Sequence, residues 1–104
     1  ARAGLTGFVA GTARQVAGSG VTINNLLPGS HATDRAAALE AGLAKKLGIS
    51  VEAAGEKRRA EIPAARYGTI EEFGAACAWL CSAHAGFVVG QNILLDGGQT
   101  NVTL

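Results

Sequence analysis

Residues 21–34, VTINNLLPGSHATD, decide the fold. Val21 to Leu27 is a β-rich run bounded by Gly20 and Pro28, and it reads as a strand. It stops at Pro28-Gly29 and releases into a small polar stretch. A strand with this ending delivers backbone groups at its C-terminal edge, where open α/β sheets bind ligands.

The flanking sequence supplies helices. Residues 2–17 place Leu5, Phe8, Val9 and Val16 at helical spacing, closed by Gly18-Ser19-Gly20. Gly4, Gly7 and Gly11 form a second stripe with almost no side chain. Each interior glycine costs a helix about 1 kcal/mol relative to alanine, so the stripe predicts a close helix contact, within or between subunits. Residues 34–47 are helix-prone, with Leu39, Leu43 and Leu47 at four-residue steps and Gly48 as the stop. Those leucines either line a pocket or pack. Ser50 opens a further helix that Pro63 ends, and Lys57-Arg58-Arg59 within it, bracketed by Glu56 and Glu61, reads as a solvated face.

The helix signal is clearest after Gly68. Thr69 with Glu72 three residues later forms a capping box, followed by Phe73, Ala76, Cys77, Leu80 and Cys81 at spacings of 3, 4, 7 and 8. The two cysteines read as small core hydrophobes, because metal fingers use tighter pairs with further ligands; no metal site is expected. Asn92 to Leu95 gives a last strand, apolar enough to be covered on both faces. Helix, strand, two-helix excursion, helix, strand is the back end of an α/β sheet with right-handed crossovers. Two parallel strands are not stable alone, so the remaining cover must come from another segment or from further copies.

Bulk properties narrow the function. The 104 residues are 48% hydrophobic and 16% charged, with a formal net charge of +1. That balance offers no electrostatic ground for nucleic acid or an anionic membrane as partner. No apolar run is long enough to span a bilayer, and no signal-peptide pattern opens the chain, so a cytoplasmic protein is expected.

Four stretches in order carry a family resemblance: RAGLTGF from Arg2, VTINNLLPG with its Asn-x-x-x-Pro-Gly ending, ARYGTIEEFGAACAWLCS with Arg-x-Gly-x-x-Glu-Glu, and VVGQNILLDGG with Gly-Gln-x-x-x-x-Asp-Gly-Gly. Together they resemble the C-terminal portion of short-chain dehydrogenases/reductases, particularly members similar to 3-oxoacyl-carrier-protein reductases. The resemblance implies the C-terminal part of a doubly wound, Rossmann-like parallel sheet with two strands and about four helices. Residues 1–104 would form a single segment of that domain, with 34–62 as a helical substrate lid. It also implies hydride transfer between NAD or NADP and a small alcohol or carbonyl substrate, in a homodimer or homotetramer.

The family's catalytic Ser and Tyr and its Gly-rich phosphate loop have no counterpart in these residues, so the segment alone is expected to be inactive. Tyr67 sits in the Arg-x-Gly segment, away from the catalytic role. Arg2 falls at the family's Lys position and, always charged with a planar fork of donors, could bond ribose hydroxyls. The resemblance puts the cofactor's nicotinamide carboxamide beside Pro28 and Gly29, against the backbone of His31 and the side chain of Thr33. Without the cofactor, Thr33 or Asp34 reads simply as the cap of the following helix. The other reading is a truncated, non-catalytic oligomerisation module of the same fold.

Overall fold

In the computed structural model, which describes the backbone of residues 2–101 and the side chains of residues 4–101, the elements follow the expected order. They are α1 (Arg2–Val16), β1 (Asn25–Pro28), α2 (Asp34–Leu47), α3 (Val51–Ala60), α4 (Ile70–Leu80) and β2 (Asn92–Leu95). Short 3₁₀ turns at Ala17–Ser19 and Ala83–Ala85 trail α1 and α4. β1 and β2 pair in parallel, Asn25 opposite Asn92 and Pro28 opposite Leu95. The α/β class and the two-strand parallel sheet with four helices are therefore as expected.

The strand read over residues 21–27 joins a ladder only from Asn25. β propensity reports a fit to an extended, half-buried surface, whereas a ladder runs no further than its partner, and β2 begins at Asn92. Residues 23 and 24 are held by the loop before β2. Gly90 N–H donates to Ile23 C=O at 2.9 Å. Asn24 uses both ends of its amide: Nδ2 donates to Val88 C=O at 2.9 Å, and Oδ1 accepts from Gln91 N–H at 2.9 Å.

Caps set the helices as the sequence reads. Thr33 accepts from Ala36 N–H, Ser50 accepts from Ala53 N–H, and Gly48 closes α2 in the left-handed region at φ 66°. α2 and α3 pack as a hairpin over small residues, with Ala36, Ala44, Ala54 and Gly55 buried. A Cβ on Gly55 would meet Arg59 Nη1 and Glu40 Oε1 at 2.9 Å.

Two expectations fail on burial. Cys77 and Cys81 are free and exposed rather than in a core; Phe73, Ala76 and Leu80 form the half-buried face of α4 instead. β2 is not covered on both faces, and Leu94 is 43% exposed. α1 approaches the loop before β2 through Ala10 and Ala13, so near Gly90 that a Cβ there would lie 3.3 Å from Ala10 Cα. A Cβ on Gly4, Gly7 or Gly11 would meet nothing within 4 Å. Among the described residues nothing packs on the glycine stripe, so the expected close contact is not made within them.

The capping box on α4 is present in full. Glu72 N–H donates to Thr69 Oγ1 at 3.0 Å, and Thr69 N–H donates to Glu72 Oε1 at 2.9 Å. Arg66 adds a fork, 2.7 Å from Nη1 to Oε1 and 2.9 Å from Nη2 to Oε2. The Arg66 bonds first, and the Thr69 backbone second, hold the Glu72 carboxyl down at about 2 from an ordinary value of 4.5. A depressed carboxyl stabilises the fold above its unfolded value, and that contribution fades as pH falls. Melting followed by circular dichroism should therefore show stability declining from about pH 4.5 to about 2. Glu72→Gln should flatten the decline. At neutral pH, Thr69→Ala should cost about 1 kcal/mol.

Candidate functional site

The strand end builds the site. Gly29 N–H donates to Leu95 C=O at 2.9 Å, carrying the pairing one residue past β1. A Cβ on Gly29 would lie 2.6 Å from Asp96 Cβ and 2.7 Å from its Cα, so only glycine lets the two strand ends pass this closely. The chain then meets the Arg-x-Gly segment. Ala32 N–H donates to Gly68 C=O at 2.9 Å, and Gly68 N–H donates to Ser30 C=O at 3.0 Å. This is a single parallel bridge between His31 and Gly68.

The bridge has a consequence for His31. In a parallel bridge the flanking residues make the hydrogen bonds, and the central residue's own N–H and C=O point away from the partner. Among the described residues, neither the N–H nor the C=O of His31 has a backbone or side-chain partner. One residue thus presents a donor and an acceptor side by side.

The His31 ring is placed by packing. Its Nδ1 lies 3.2 Å from Gly29 C=O; a carbonyl only accepts, so this contact requires Nδ1–H and leaves Nε2 as the acceptor of a neutral ring. Nε2 is buried with no partner. The ring sits edge-on to Phe73, centroids 5.7 Å apart, and a Cβ on Gly68 would come within 2.7 Å of Cδ2 and Nε2. The ring is wedged between α4 and the bridge.

Pro28, Gly29, His31 and Thr33 all line one groove of about 790 Å³. Thr33 accepts from Ala36 N–H at 3.3 Å, and as a cap its hydroxyl hydrogen remains free to donate. Leu39 also lines the groove, and Leu47 is exposed on α2 away from it. The backbone of Arg2 opens α1, but its side chain lies outside the described residues. Among the described residues no cluster of three or more His, Cys, Asp or Glu could hold a metal ion.

The basic cluster of α3 is not a solvated face as a whole. Lys57 is exposed, but Arg58 and Arg59 are half-buried and stack on the Tyr67 ring, 5.4 and 5.8 Å from its centroid. Tyr67 OH donates to Glu40 Oε1 at 2.6 Å and accepts from Arg58 Nη1 at 3.3 Å. Arg59 lies 3.6 Å from the same Glu40 oxygen. Burial first, then the Glu40 bond, raises the Tyr67 pKa above its ordinary value, so the phenol stays protonated at neutral pH. Sequence reading missed this network because its members are scattered over three elements. The one available signal was Tyr67 itself, the only tyrosine in a chain poor in aromatic residues.

Comparison with known proteins agrees with this architecture. The family described as Enoyl-(Acyl carrier protein) reductase matches residues 1–100. The acetoacetyl-CoA reductase of Cupriavidus necator is 39% identical over 98 residues, covering 94% of this chain and 35% of that protein. The 3-oxoacyl-[acyl-carrier-protein] reductase of Salmonella typhimurium is 36% identical over 99 residues, 95% of this chain and 36% of that one. Among solved structures, an NADPH-dependent reductase involved in bacilysin biosynthesis superposes with a TM-score of 0.86 at 34% identity, covering 97% of this chain and 38% of the other. The chain thus spans about a third of the length of the curated relatives it matches.

The network around Tyr67 yields a stability prediction. Tyr67→Phe removes two hydrogen bonds and leaves Glu40 with one partner fewer. It should lower stability by about 1–3 kcal/mol, read as a lower denaturant midpoint with unchanged slope.

Proposed function

Because the chain belongs to the short-chain dehydrogenase/reductase family, we propose that it is the C-terminal part of a nicotinamide-dependent oxidoreductase acting on a small alcohol or carbonyl compound. The observation that carries this reading is the unpartnered N–H and C=O of His31 at the C-terminal end of a parallel strand. A carboxamide offers one acceptor and two donors, which His31 main chain and the Thr33 hydroxyl complement. Pro28, Gly29, His31 and Thr33 line the same groove, which supports this reading. When bound, the nicotinamide of NAD or NADP supplies or accepts the hydride.

The chain's own residues orient that ring. Tyr67, the only tyrosine, is bonded to Glu40 and Arg58, so the 104 residues alone are proposed to be inactive. Residues 34–62, the α2–α3 hairpin, are read as the substrate lid, since Thr33, Arg35, Ala36, Leu39 and Arg58 border the groove. A cytoplasmic setting suits two free, exposed cysteines. Among the described residues no helix is long and apolar enough to cross a membrane.

Fluorescence titration of the full-length protein with NADH and NADPH tests the cofactor role. Wild type should bind at least one of them. Thr33→Val should weaken that binding about three- to tenfold, the worth of one hydrogen bond, while Thr33→Ser should restore it. A thermal melt separates this from loss of the α2 cap. Equal affinity in wild type and Thr33→Val, or no binding of either nucleotide, would count against the reading.

A second reading, an assembly module, is favoured by α1, where Leu5 is 59% and Phe8 70% exposed beside the open glycine stripe. On that reading the 104-residue chain forms dimers or tetramers in light scattering, and a well-folded monomer rejects it.

A further inference from the structure

The groove has an asymmetric charge. Among the described residues its ionic side chains are Arg35 and Arg58, and none of the lining residues carries a carboxylate. The ion pairs among the described residues are Arg59 with Glu40 and Arg66 with Glu72, so neither groove arginine has a carboxylate partner there. Glu40, the nearest acid along the network, is already taken by Tyr67 and Arg59. Around the arginines the wall is apolar: Leu26, Leu27, Leu39, Ile70 and Phe73.

Arg58 is also oriented. Its Nη1 donates to Ala36 C=O at 3.2 Å and to Tyr67 OH at 3.3 Å, which uses both protons of that nitrogen. Nη2 has one contact, to Ser30 Oγ at 3.5 Å, the outer limit of a hydrogen bond. The Nε–Nη2 edge of the guanidinium, the side that binds an oxyanion through two parallel bonds, is left largely unfilled. A half-buried cation is costly without a counter-charge, and here the fixed fork stands at the groove wall.

We infer that the groove takes a carbonyl substrate bearing an oxyanion, carboxylate or phosphate, with Arg58 as its specificity-determining residue and Arg35 as a second, exposed contact. This rests on the oxidoreductase reading above and adds a substrate class to it. The apolar wall accommodates a short hydrocarbon portion, and His31 lines the same groove.

The test uses the full-length protein and two pairs of ketones: acetoacetate against ethyl acetoacetate for a carboxylate, and dihydroxyacetone phosphate against dihydroxyacetone for a phosphate. In one pair, wild type should prefer the anion. The anionic-to-neutral ratio of kcat/KM should fall roughly ten- to a hundredfold in Arg58→Gln, mainly through KM, as expected for loss of a charge-assisted bond. Arg58→Lys should recover part of it. Arg35→Gln, at an exposed position, should lower the same ratio by less and guards against misfolding as the cause. Ratios unchanged in both pairs and both variants overturn the proposal, as does a loss confined to cofactor affinity.

Calorimetric binding of the two anions reads the site without turnover. Anion binding that Arg58→Gln abolishes, with no ketone reduced, keeps the anion site and defeats the oxidoreductase reading. Ketone reduction without anion preference does the reverse.

Discussion

The short parallel pairing of β1 with β2 is the constraint on which the rest of the structure depends. It brings residue 29 against residue 96 so closely that Gly29 has no substitute without backbone movement. Beyond that contact both strands turn at once. Asp96 folds its carboxylate back to accept Gly98 N–H at 3.0 Å and Thr100 N–H at 2.9 Å; the Thr100 side chain first, and then these backbone bonds, lower its pKa. Gly97 takes φ 64° beneath Ile62 and Ala64, and Ala64 N–H donates to Gly97 C=O at 3.0 Å. The excursion from β1 through α2 and α3 is therefore pinned at both ends to one corner of the sheet. A groove bordered by that excursion inherits its geometry from the strand pairing.

Outside this corner the chain buries little. Its radius of gyration is 17.0 Å, against about 13 Å for a closed domain of this length. Among the described residues the buried apolar ones are five alanines and Ile62, while Phe87 is fully exposed and Ile70 60% exposed. Burying a large apolar side chain is worth about 1.5–3 kcal/mol, so much of the hydrophobic stabilisation that this sequence can offer is not realised by its own contacts. What holds is local: caps on α2, α3 and α4, the close α2–α3 contact over small residues, and the Asn24 clamp. In a chain that spans about a third of its relatives' length, these are the contacts its own residues supply.

Local chemistry was accordingly the legible part of the sequence. Thr69 and Glu72 announced their cap, Gly48 its helix end, and Pro28-Gly29 the end of a strand, because each acts through neighbours a few residues away. Burial was not legible. The periodicity of α4 placed Cys77 and Cys81 on an apolar stripe, yet a stripe is buried only where something covers it, and that depends on packing rather than spacing. The strand's length failed for a related reason, since Asn24 bonds sideways to residues 88 and 91 and these lie far along the chain. For the site, the position of Pro28, Gly29, His31 and Thr33 on one groove was legible from the strand ending. The inward turn of Arg58 and Arg59 was not, because a basic run looks the same whether its partner is water or a tyrosine elsewhere in sequence.

Tyr67 and Gly68 join the two halves of the site by adjacency. Gly68 fixes the backbone of Ser30 and Ala32 and thereby leaves the polar groups of His31 free. Tyr67, one residue earlier, holds Glu40 of α2 and Arg58 of α3 through a single hydroxyl. Moving the α2–α3 hairpin would pull on the dipeptide that organises the strand end, and shifting the strand end would disturb the stack that orients Arg58. Ser30 closes the loop, since its carbonyl accepts from Gly68 while its hydroxyl lies at the edge of the Arg58 fork. The main chain of His31 and the guanidinium of Arg58 are thus set by the same few hydrogen bonds. Their relative placement along the groove is fixed by bonds that sit between them rather than by the length of the hairpin.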